Sequence, residues 1–65
     1  MLNADIYFNN MKNNEHIRIE NILMIQSICD ELIVVFTSEN YDYHYTEVKR
    51  YPLYAIDYYL VGPVK

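Results

Sequence analysis

Apolar and polar residues alternate in several stretches of this chain, and a period of two is the mark of β-strands that bury one face. Ala4, Ile6 and Phe8 oppose Asp5 and Tyr7, and further on Ile17 and Ile19 oppose His16, Arg18 and Glu20. The phase then breaks. In a straight strand Asn21 would join the isoleucine face and Ile22 the polar one. A bulge or bend at Asn21 restores the apolar face, so residues 22–28 read as a second strand or as the far half of one long bent strand. Residues 32–36 are apolar on both faces and rich in β-branched side chains, the pattern of a central, most buried strand. Tyr41, Tyr43 and Tyr45 then alternate strictly with Asp42, His44 and Thr46. Strands are expected near residues 4–8, 16–27, 32–37 and 41–47.

The segments between carry turn chemistry. Residues 9–14 are rich in asparagine, which tolerates the left-handed backbone region, and read as a turn or loop. Asp30-Glu31 reads as a tight hairpin connection and Ser38-Glu39-Asn40 as the next turn. Pro52 has no N–H for a ladder and marks an edge or a break. Beyond it Tyr54, Ile56, Tyr58 and Leu60 alternate as in a strand. Pro52 in a first helical position and Gly62 just past the end also fit a short helix, with Leu53, Ile56 and Leu60 on one stripe. The residue types favour the strand. The predicted fold is all-β, a single domain over 1–65. It is a small antiparallel curled sheet or SH3-like barrel of five to six strands, with a C-terminal strand or short helix. The expected core is Ile6, Phe8, Ile17, Ile19, Ile25, Leu32, Val34 and Phe36.

Size makes the question of stabilisation acute. A chain of 65 residues buries only about 60% of the surface its unfolded form exposes, and domains this small usually carry a disulfide, a metal or a partner subunit. Cys29 is the single cysteine, so no intrachain bridge forms. Its apolar neighbours predict a small buried hydrophobe, and Asp30 and Glu31 disfavour a thiolate. His16 and His44 lack the ligand spacing of a structural metal site, and no metal or other cofactor is expected. Association is left as the staple. The sequence holds 8 tyrosines and is 52% hydrophobic, more than so small an interior hides, and tyrosine tolerates an interface because one end of it is apolar and the other polar.

Five basic against nine acidic residues leave a formal net charge of −4, which argues against a protein that tracks nucleic-acid phosphates. No apolar run approaches the roughly 18 residues of a membrane span. The first residues include Asp5 and lack the apolar segment of a signal peptide. The expected compartment is the cytoplasm. Abundant Asn, Ile and Tyr with scarce Gly, Ala, Pro and Trp point to AT-rich codons, as in a low-GC bacterium or its phage.

Catalytic patterns find no support: Ser27 and Ser38 lie in no glycine-rich elbow, Gly62 is the sole glycine, and Asp30-Glu31 reads as a solubilising turn. No enzyme activity is expected. The tyrosine stripe has three readings: cross-strand packing, an exposed aromatic surface for self-association or a partner, and a base-stacking platform. The acids Glu31, Glu39, Asp42 and Glu47 read as a solvated face or as a patch for a basic partner. The first functional expectation is a non-enzymatic, homo-oligomeric protein-binding module. On size and charge alone this extends to a phage or mobile-element inhibitor of a host protein. Its candidate partner-binding residues are Tyr41, Tyr43, Tyr45, Tyr54, Tyr58, Glu39 and Asp42. The alternative is a small nucleic-acid- or nucleotide-binding β-barrel.

Overall fold

The computed structural model of the protein describes residues 1–10, 15–40 and 43–63. They form five antiparallel strands, β1 (Leu2–Phe8), β2 (Ile17–Ile28), β3 (Glu31–Asn40), β4 (Tyr43–Pro52) and β5 (Ile56–Pro63). One 3-10 turn, Leu53–Ala55, separates β4 from β5. The strands make a single sheet in the order β4-β3-β2-β1-β5. It is an open curled sheet with β4 and β5 as its two edges, so the C-terminal segment is a strand preceded by one short helical turn.

β2 is the strand that curls the sheet. Against β1, Ile22 pairs with Leu2 and Ile19 with Ala4, so β2 carries an extra residue there. Against β3, Ile22 pairs with Phe36 and Met24 with Val35, a second extra residue. The first lies where the broken phase predicted it, and Asn21 has a φ of 59°. Asparagine tolerates that region better than most side chains. The bulges bend β2 and rotate its side chains, so that Ile17, Ile19, Ile22 and Ile25 all reach one core. The first half of the strand pairs with β1 and the second half with β3.

Ala4, Ile6, Ile19, Ile22, Leu32 and Val34 are buried, with Phe8, Ile17, Ile25, Phe36, Tyr51, Leu53 and Ile56 packed around them. Each of the fully buried side chains Ile6, Ile22, Leu32 and Val34 contributes about 1.5–3 kcal/mol of transfer free energy. All eight expected core residues lie in this cluster. Ala4, Ile22, Tyr51, Leu53 and Ile56 join them. The 3-10 turn is pinned at both ends: Leu53 N donates to Asp30 O (2.9 Å) and Asn9 N donates to Ala55 O (2.9 Å). Asn9 Nδ2 adds a bond to Tyr54 O (2.7 Å), and Phe8 meets Tyr51 edge-on at 5.2 Å. These contacts tie the ends of β1 and β4 together without a ladder between the edge strands.

The structure corrects several local expectations. The β2–β3 turn is Cys29-Asp30, because Ile28 pairs with Glu31. Both turn residues have positive φ, 50° and 62°, the type I′ geometry that matches the twist of a hairpin. Cys29 is therefore exposed rather than buried. Ser38, Glu39 and Asn40 are not a turn; they pair with Tyr45, His44 and Tyr43. Their polarity reflects a ribbon that runs beyond β2, whose last partner on β3 is Phe36. β3 is not the middle strand, and it is covered on one face only. Leu32 and Val34 are fully buried, whereas Ile33 and Val35 on the opposite face remain half-buried. Residues 11–14 of the expected asparagine-rich loop lie outside the described residues.

Candidate interaction surface

Directly paired residues share a face of the sheet, so the registers place every surface side chain. On β4, Tyr43, Tyr45, Glu47, Lys49 and Tyr51 share the concave face with Val34 and Leu32, while His44, Thr46, Val48 and Arg50 share the convex face with Val35 and Ile33. Tyr43 is 72% exposed, and Tyr45 is exposed as well. These two tyrosines do not pack in the core. Their partners on β3, Asn40 and Ser38, lie past the end of the β2 pairing. Tyr51, where the cover is complete, is half-buried, and burial raises its hydroxyl above the ordinary tyrosine pKa.

Between the first half of β2 and the protruding part of β3–β4 runs an open groove of about 530 Å³. Ile17, Ile19 and Phe36 supply its apolar floor, and Arg18, Glu47 and Lys49 stand at its walls. Tyr45 and Tyr43 continue the Glu47 side of the strand outward. Glu39 is near this end too, with His44 Nδ1 3.4 Å from its Oε1. Tyr41 and Asp42, expected in the same surface, lie outside the described residues.

The remaining expected contacts fall elsewhere. Tyr54 stands on the 3-10 turn and is 84% exposed. Tyr58 is on β5, the opposite edge from Tyr43 and Tyr45. It stacks on Tyr7 (centroids 4.5 Å apart), and Tyr7 stacks on His16 (4.7 Å). The neighbouring row on that face is Leu60, Asp5 and Arg18. Arg18 Nη1 donates to both carboxylate oxygens of Asp5 at 3.1 Å, and His16 Nε2 lies 3.3 Å from Asp5 Oδ1. The alternation of Asp5 with Tyr7 and of His16 with Arg18 was visible in the sequence. That the two strands would pair in a register joining these residues was not.

A third surface was missed. On the convex face Met24, Val35 and Val48 form one cross-strand row, with Val48 54% and Met24 39% exposed. Its sequence signal is the doubly apolar run at 32–36, a pattern that also fits a strand buried on both faces.

Among the described residues no group of three or more His, Cys, Asp or Glu is placed to hold a metal ion, and no helix is long and apolar enough to cross a membrane. No family model matches the chain, and neither a curated protein nor a solved structure matches it.

Proposed function

We propose that the protein is a non-enzymatic protein-binding module that self-associates through the edges of its sheet. One observation carries the reading: both edge strands display large apolar side chains to solvent. β4 exposes Tyr43, Tyr45 and Val48, and β5 exposes Tyr58, Leu60 and Val61. An unprotected edge is a template for another strand, and apolar side chains beside it add the driving force for pairing. The lack of a disulfide is consistent with this, because a domain of this size gains stability from a second copy. The net charge of −4 favours a basic protein as any further partner and opposes the nucleic-acid reading.

Sedimentation equilibrium tests the proposal. We expect a dimer or larger species at micromolar concentration, with Tyr43→Ser/Tyr58→Ser shifting it toward monomer. A single species at 7.9 kDa across that range overturns it. Salt-dependent retention on single-stranded DNA would transfer the assignment to the nucleic-acid class.

A further inference from the structure

Resting on the self-association just proposed, the geometry points to one interface: β4 pairs with β4 of a second copy, antiparallel about a two-fold axis at Val48. The argument begins with which backbone groups are free. Leu53 N donates to Asp30 O, in step with the β3–β4 register that sets Glu31 opposite Pro52. Antiparallel pairs alternate between bonded and non-bonded. Counting back from Leu53, the residues of β4 that bond to β3 are Tyr51, Lys49, Glu47, Tyr45 and Tyr43. Thr46, Val48 and Arg50 therefore turn their N–H and C=O groups outward. Pro52 falls in the outward set as well, where its missing N–H costs the β3–β4 ladder nothing.

An edge strand pairing with its own copy about a two-fold axis is necessarily antiparallel and isologous. With Val48 on the axis, Val48 exchanges both backbone bonds with Val48 of the second copy, and Thr46 does so with Arg50. The concave-face side chains then fall into register. Glu47 stands opposite Lys49 of the second copy, twice by symmetry, and Tyr45 stands opposite Tyr51. Neither Glu47 nor Lys49 belongs to an ion pair within the chain among the described residues. Moving the axis by one residue sets Glu47 against Glu47 or Lys49 against Lys49. Moving it to Arg50 sets Arg50 against itself. Like charges directly opposite are destabilising. Moving it to Thr46 opposes no like charges, but loses the Glu47–Lys49 pairs and leaves Glu47 facing Tyr45. On the convex face the Val48 axis joins the row Met24, Val35, Val48 to its symmetry copy, making one apolar stripe across the dimer. β5 offers no such register: its one charged residue, Asp57, has no basic residue among the strand's Ile56–Pro63 to face.

A charge-swap series read by sedimentation equilibrium tests the interface, on a Cys29→Ser background so that the exposed thiol forms no adventitious dimer. Glu47→Lys and Lys49→Glu should each weaken the dimer about tenfold, since each opposes like charges twice across the axis. The double variant Glu47→Lys/Lys49→Glu should recover the parent affinity. Val48→Cys should cross-link the copies through position 48 on mild oxidation, because a bonded antiparallel pair sets its Cα atoms about 5.5 Å apart, within disulfide reach. A dimer that neither weakens with the single swaps nor cross-links at position 48 overturns this interface and leaves self-association standing. A parent protein that stays monomeric overturns both.

Discussion

At the scale of single residues, the backbone is least comfortable at the β2–β3 turn. Cys29 and Asp30 both sit at positive φ, where a side chain costs about 1–2 kcal/mol that glycine avoids, and the type I′ turn favours Asn-Gly. We expect Cys29→Asn/Asp30→Gly to stabilise the fold by about 1 kcal/mol, a rise in Tm of roughly 4–8 °C for a domain of this size. A thermal melt by circular dichroism checks this, and an unchanged Tm would mean that the turn is not strained. The same residues show how local sequence misleads. Asp30-Glu31 has the composition of a turn, and Cys29 the composition of a core. The register, in which Ile28 opposite Glu31 closes the ladder, moves the turn by one residue and puts the thiol in solvent.

At the scale of elements, β2 determines the shape of the sheet. Its two extra residues turn a strand that pairs with β1 into one that pairs with β3. Asn21 at φ 59° is the pivot of the first bulge. Asn21→Gly should be tolerated or mildly stabilising, because glycine enters this region freely. Asn21→Val should cost about 1–3 kcal/mol, since a β-branched residue at positive φ is strained. Urea denaturation of the two variants reads the difference. Equal midpoints would show that the bend does not depend on this residue. The bulge was legible from the sequence because the phase of the isoleucines broke at one point. The second extra residue, near Leu23, was not, because a run of apolar residues hides a change of phase.

At the scale of the whole molecule, the core is a single cluster whose buried residues come from β1, β2 and β3, with Tyr51 of β4, Leu53 of the 3-10 turn and Ile56 of β5 packed against them. It leaves one face of β3 and the far ends of both edges uncovered. Val34→Asp should abolish the cooperative thermal transition, because it buries an unpaired charge where no side-chain surface reaches solvent. A variant that melts like its parent would contradict the placement of β3. An open sheet with this little cover explains why stability and association are linked in the interface proposed for β4.

What the sequence by itself determined is four of the five strands and most of the core. Alternation with period two, proline at Pro52 and the broken phase at Asn21 are local properties, and local backbone geometry converts them directly into strands, an edge and a bend. What only the tertiary structure decided is which surfaces are left over. Whether Tyr43 and Tyr45 packed inside or stood in solvent depended on how far β2 runs alongside β3. Whether Ile33 and Val35 were covered depended on whether anything packed on the convex face. Tyr58 was parted from the other tyrosines by a strand order that sends β4 and β5 to opposite edges. Each is set by pairing between segments distant in sequence, whose free energy is shared over the whole sheet and is recorded in no single stretch of the chain.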